Sequence, residues 1–153
     1  MKLETLPETS ALISECFPDA VLETHEHRGD ETLVIDKSKF LKVCEFLRDD
    51  SRCKFEMMMD LTAVDRLEQD VKPRFEVVYH FKSLSLSKRL RLKVHLEEED
   101  SNIDSIHHLW KAVNWYEREC YDMYGIIFNN HPDLRRILMY DQFEGHPLRK
   151  DYL

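Results

Sequence analysis

The sequence predicts an α+β fold: a mainly antiparallel mixed sheet with helices packed on one face, plus an extended C-terminal arm. Three observations carry that prediction. Three stretches in the middle of the chain alternate apolar and polar residues with a period of two, the mark of strands with one dry and one wet face. Two other stretches space their apolar residues at i, i+3, i+4 and i+7, the mark of helices with one buried side. After Ile126 neither period survives, although arginines, acids and aromatics stay dense.

The elements follow in order. Pro7 to Phe17 reads as a short helix with Leu12, Ile13, Cys16 and Phe17 on one side and Pro18 ending it. Ala20–Glu26 and Thr32–Asp36 read as strands joined by the turn-like His27-Arg28-Gly29-Asp30, hence a hairpin. Ser38 to Arg48 is a helix capped by Asp36, with Phe40, Val43, Cys44 and Leu47 on one face. In the first long strand Phe55, Met57, Met59, Leu61 and Ala63 form the apolar set. Phe75, Val77, Tyr79 and Phe81 form it in the second, and Leu90, Leu92, Val94 and Leu96 in the third. Ile106, Leu109, Trp110 and Val113 predict a further helix. A last one starts at Asn114, with Glu117 at the third position of a capping box, and ends at Tyr124 before Gly125. The division expected is an α+β domain over 1–125 and a partner-docking segment over 126–153.

Composition narrows the function classes. The chain has 153 residues and a formal net charge of −8, which argues against nucleic acid as the main partner. Four cysteines stand at Cys16, Cys44, Cys53 and Cys120 with no Cys-x-x-Cys pair, and their wide spacing suits neither a zinc nor an iron–sulfur site. No secretory signal opens the sequence, so free thiols in a reducing compartment are expected. No apolar run approaches the ~20 residues of a membrane helix, so any membrane association is expected to come through partners.

A search for catalytic chemistry finds little. His25 and His27 share a strand face but lack a third ligand, and His107 and His108 diverge around a helix, so the histidines read as surface or core residues. Cys120 falls on an apolar helix side, where thiols behave as small hydrophobes. No phosphate loop and no nucleophile elbow occur. Glu117, Glu119 and Asp122 lie within two helical turns, where helix-start electrostatics with Arg118 explains them better than acid–base work. Lys88, Arg89, Arg91 and Lys93 line the wet face of the last long strand without the aromatics that RNA stacking requires. Solvation or cross-strand pairing is the reading there. The tail differs: Asp133, Arg135, Arg136, Asp141, Glu144, Arg149, Lys150 and Asp151 alternate in sign among Ile137, Leu138, Met139, Tyr140, Phe143, Leu148 and Tyr152. Arginine forks beside aromatics are what buried interfaces favour, so this stretch reads as an arm that docks onto another subunit.

The same region carries a family resemblance. Trp115-Tyr116-Glu117-Arg118-Glu119-Cys120-Tyr121-Asp122-Met123-Tyr124-Gly125-Ile126 resembles a family signature. So do His131-Pro132-Asp133-Leu134-Arg135-Arg136-Ile137-Leu138 and Gly145-His146-Pro147-Leu148-Arg149-Lys150-Asp151-Tyr152. All three are similar to the 30-kDa (C-type) subunit of proton-pumping NADH:quinone oxidoreductase (respiratory complex I). Asp60-Leu61-Thr62-Ala63-Val64-Asp65 and His108-Leu109-Trp110 add to the match. The resemblance implies a non-catalytic scaffold subunit of the peripheral arm, on the cytoplasmic face of the cell inner membrane. It implies that the D (49-kDa-type), B and I subunits are partners. It implies no cofactor in this chain, with the iron–sulfur clusters, FMN and quinone held by partner subunits. Glu117, Arg118, Glu119, Asp122, Arg135, Arg136, His146, Arg149, Lys150 and Asp151 are the partner-binding residues expected from it. Equivalent subunits serve membrane-bound hydrogenases and dehydrogenases of a reduced deazaflavin, and the motif does not separate these. A stand-alone metalloenzyme built on the histidines is the remaining alternative. Family members usually continue past Lys150-Asp151-Tyr152 with a Pro, where this sequence has Leu153.

Overall fold

Alternation along the last long strand decides the architecture. Leu90, Leu92, Val94 and Leu96 are all buried, while Arg89, Arg91, Lys93 and His95 point the other way. The computed structural model describes residues 9–27 and 30–152. Its elements run α1 (Thr9–Cys16), β1 (Val21–His27), β2 (Asp30–Ile35), α2 (Phe40–Asp49), β3 (Met57–Asp65), β4 (Phe75–Ser83) and β5 (Lys88–Leu96). Then come β6 (Asn102–Asp104), α3 (Val113–Tyr124) and β7 (Ile127–Asn129). Five strands form one sheet in the order β1-β2-β5-β4-β3, antiparallel except where β2 runs parallel to β5. The expected α+β class and mixed, mainly antiparallel sheet are what the chain forms. Pro7 and the Arg28-Gly29 turn lie outside the described residues.

The core lies on one face of that sheet. Leu33 and Ile35, Leu61 and Ala63, the apolar set of β4 and that of β5 all point into it. From α2 come Phe40, Val43, Cys44 and Leu47, the four residues its periodicity selects. The Phe40 ring lies 4.8 Å from that of Tyr79. Asp36 accepts from the Ser38 N–H, as a cap should, but the first turn is a 3-10 turn over Lys37–Lys39 and the α-helix begins at Phe40.

Three local expectations are corrected. Met57 and Met59 are exposed, and Met58 is buried instead. A bulge between Met58 and Asp60 inserts one residue into the ladder with β4 and flips the alternation upstream of Leu61. Ile106, Leu109 and Trp110 form no helix. Two turn bonds to the Ile106 carbonyl hold them, and the Trp110 indole donates to the Phe55 carbonyl at 2.9 Å, fixing the segment over the core. Finally, α3 starts at Val113 with no side-chain cap, because Glu117 is used inside.

The body of the domain runs past residue 126. Ile126 and Phe128 are buried, and β7 pairs in parallel with β6, so the chain leaves the domain body only after Asn129.

Candidate functional site

The last helix of the domain and the arm after it contain most of the residues singled out from the sequence. Val113, Glu117 and Cys120 fall at i, i+4 and i+7 of α3 and are buried together. Glu117 therefore enters the core along the apolar stripe. Its carboxylate accepts from the Ser105 hydroxyl at 2.6 Å and from the Ile106 N–H at 3.1 Å. The nearest basic nitrogen, His131 Nε2, stands 4.0 Å away. Since His131 Nδ1 accepts from the Asp133 N–H at 2.9 Å, Nε2 carries the ring proton and faces the Asn114 carbonyl at 3.4 Å. Without a neighbouring cation in hydrogen-bond contact, burial dominates and pushes the Glu117 carboxyl up to about 7.

Asp122 is equally buried but differently used. Its carboxylate accepts from the Arg136 guanidinium at 2.6 Å and from three successive backbone N–H groups, Ile137, Leu138 and Met139, at 3.1, 2.8 and 2.9 Å. Burial works against the charge, but these donors outweigh it and lower the carboxyl below its ordinary value. Arg136 reaches on to the Gly145 carbonyl at 2.8 Å, and the His146 ring meets the Asp122 carbonyl at 3.1 Å. Asp122 thus gathers the arm from residue 136 to residue 146, through its carboxylate, its backbone carbonyl and Arg136.

A second anchor fixes its far end. Asp65, the last residue of β3, accepts from Arg74 through both oxygens at 2.9 and 2.7 Å and from the Lys150 N–H at 2.8 Å. Desolvation would raise its carboxyl, yet these bonds bring it down to about 2. Arg74 also pairs with Asp151 at 2.8 Å and Glu98 at 2.9 Å. The Phe75 ring lies under both Arg74 (4.8 Å) and Arg149 (5.1 Å), and Arg149 donates to the Tyr124 carbonyl at 2.6 Å. Gly125, at φ 77, closes α3 where a side chain would collide: a Cβ there would sit 2.7 Å from Arg149 and from His146.

These contacts sort the expected partner-binding residues. Glu117 and Asp122 are buried within this chain, and Arg136, His146 and Arg149 spend their polar atoms on its own backbone. They help to build the arm: Glu117 and Asp122 are buried, while Arg136, His146 and Arg149 are half-buried. Arg118 lies between: it donates to the Arg135 and Arg136 carbonyls and rests 5.2 Å from the Trp115 ring. Glu119, Arg135, Lys150 and Asp151 are exposed. What a charge-based reading misses is apolar: Trp115 is 62% exposed, Leu138 59% and Tyr140 65%. The available signal is Trp115 on the α3 side opposite Val113 and Glu117.

Among the described residues no group of His, Cys, Asp and Glu is placed to hold a metal ion, and no helix is long and apolar enough to cross a membrane.

The family described as the respiratory-chain NADH dehydrogenase, 30 Kd subunit, matches residues 33–153, which takes in β2 to β7 and the whole arm. The chain belongs to this family. Among its relatives, the C-type subunit of the NADH-quinone oxidoreductase of Citrifermentans bemidjiense is 51% identical over 140 residues, covering 92% of this chain and 84% of that one. The corresponding NADH-quinone oxidoreductase subunit of Hyphomonas neptunium is 44% identical over 152 residues, 99% of this chain and 74% of its own. In three dimensions the 30 Kd subunit fold is shared with a trypsin-resistant fragment of Nqo5. The TM-score is 0.69 at 28% identity, over 82% of this chain and 98% of that one. A chain of a membrane-bound sulfane sulfur reductase, an archaeal respiratory membrane complex, superposes with a TM-score of 0.78 at 22% identity, covering 94% of this chain and 82% of its own, a likeness of fold.

Proposed function

We propose that this chain is a non-catalytic scaffold subunit in the peripheral arm of a proton-translocating NADH:quinone oxidoreductase. Electron transfer from NADH to quinone takes place on cofactors of its partners, namely FMN, iron–sulfur clusters and quinone. The D (49-kDa-type), B and I subunits are its neighbours, and the complex sits against the cytoplasmic face of the inner membrane.

One observation carries the docking part of this reading. The arm is held by two buried carboxylates, Asp122 and Asp65, and within that frame Trp115, Leu138 and Tyr140 stand exposed. A large aromatic offers wide contact area with only two side-chain torsions to fix on burial, which is why such residues anchor interfaces. Family membership supports assembly into such a complex: relatives that span nearly all of the chain are NADH-quinone oxidoreductase subunits.

The test is recovery of the tagged chain from gently solubilised native membranes, with partners identified by mass spectrometry. Co-purification of D-, B- and I-type subunits together with NADH-oxidising subunits is expected. A nickel-bearing large subunit without NADH-oxidising subunits would instead assign the chain to a hydrogenase, and purification of the chain alone would refute the scaffold role.

A further inference from the structure

The wet face of the sheet holds a basic corner that the arm does not use. At one end, cross-strand pairing neutralises the charges: Glu76 meets Lys93 at 3.4 Å, His95 at 3.0 Å and Arg66 at 3.9 Å. At the other end, Arg89 is opposite Lys82 and Arg91 is opposite His80 in the β4–β5 register. Among the described residues no carboxylate comes within salt-bridge range of Arg89, Arg91 or Lys82. The carboxylate at the neighbouring hairpin, Glu56, is occupied by the N–H groups of Leu84 and Ser85.

Two open depressions meet at Arg89. One, of about 330 Å³, is lined by Asp30, Met59, Asp60, His80 and Arg91. The other, of about 360 Å³, is lined by Lys82, Ser83, Leu84, Ser87 and Lys88. Along the joined groove Lys82, Arg89 and Arg91 oppose two carboxylates, in a chain whose formal charge is −8, while Lys88 turns its ammonium to the Arg52 carbonyl and the Phe55 ring. Desolvation, with Arg91 beside it, lowers the affinity of His80 for a proton, so the guanidiniums remain the charges on offer. The bulge in β3 leaves Met57 and Met59 exposed at the groove's edge, and methionine supplies adaptable apolar contact. Arginine and methionine beside each other, unpaired, match what interfaces enrich.

We propose that this groove, centred on Arg89 and Arg91, docks an acidic segment of another subunit of the complex. It is a second contact, on the sheet face and separate from the arm, and it rests on the chain being a subunit of a larger assembly. Two unpaired guanidiniums complement an acidic polypeptide and would repel a basic one, so the groove selects its partner as well as holding it.

The experiment treats the intact complex in native membranes with a zero-length carbodiimide, which joins an amine to a carboxylate in direct contact. Lys82, opposite Arg89, is expected to couple to Asp or Glu of another subunit. Coupling only within this chain overturns the proposal. So does protection of Lys82 that nuclease treatment or delipidation abolishes, which would assign the groove to a nucleic acid or a lipid. In parallel, the Arg89→Glu/Arg91→Glu double variant is expected to enter the complex about tenfold less well or worse, with the chain's own melting temperature unchanged. Incorporation equal to the parent overturns the proposal, and if the variant does not fold, the coupling result on the parent complex decides. Arm variants are scored in the same assay: loss with Trp115→Ala but not with the double arginine variant leaves the arm reading standing and removes this one.

Discussion

Glu117 makes the stability of this domain fall as pH rises through neutrality. Folded, its carboxyl holds its proton to about 7; unfolded, it takes the ordinary value of 4.5. The folded state therefore binds the proton more tightly, so the contribution is full below 4.5 and is lost as pH rises through 7. The difference corresponds to about 3.4 kcal/mol in total, of which about 2.5 kcal/mol falls between about pH 5 and pH 8. Glu117→Gln keeps the shape, with its oxygen accepting from the Ile106 N–H and its amide donating to the Ser105 hydroxyl oxygen as the protonated acid would, but cannot ionise. Urea unfolding of parent and variant at pH 5, 6, 7 and 8 is the assay. The two are expected to be nearly equal at pH 5, and the variant more stable by about 2.5 kcal/mol at pH 8. His80, His131 and His146 have lowered pKa values through burial and titrate with the opposite sign. They are common to both proteins, so the difference isolates Glu117. Parallel pH curves for parent and variant would refute the account of a buried carboxyl without a bonded cation.

Other outcomes follow from the arm. Gly125→Ala places a methyl at φ 77 against Arg149 and His146 and should cost about 1–2 kcal/mol in urea melts, with faster tryptic cleavage at Arg149 and Lys150. Asp122→Ala removes the shared acceptor of Arg136 and three N–H groups. A loss of about 3–5 kcal/mol is expected, with amide exchange accelerating first at Ile137, Leu138 and Met139. Trp115→Ala and Tyr140→Ala touch exposed side chains. They should leave stability within about 0.5 kcal/mol and weaken recovery with partners by about 2 kcal/mol each; an unchanged pull-down would rule them out as anchors.

Much of the fold is legible in the sequence because its signals are local. The β5 alternation, the α2 stripe with Asp36 before it, and Gly125 after α3 each depend on neighbours a few residues away. The bulge at Met58–Asp60 is not legible, since Met-Met-Met fits either phase and only the pairing with β4 selects one. Ile106, Leu109 and Trp110 have helical spacing over a single turn, too short to distinguish a turn pinned by Trp110 and Phe55 from a helix. Glu117 at a capping-box position is also in step with Val113 and Cys120. The second pattern wins because Ser105 and Ile106 await it inside. The arm's composition calls for another surface, and its first surface is the domain itself. That depends on pairs such as Asp65 with Lys150, 85 residues apart, which no local pattern encodes.

The parallel pairing of β2 with β5 also ties the start of the chain to a strand synthesised later. Leu33 lies beside Leu92, so the N-terminal hairpin joins the sheet only through a strand made about sixty residues later. During synthesis the first two strands and α2 emerge with their apolar faces uncovered. The β3–β4–β5 meander pairs only strands adjacent in the chain, and its completion leaves β5 as the edge that receives β2. The β2 edge that β1 leaves free is thus open to wrong pairing in the nascent chain until β5 covers it.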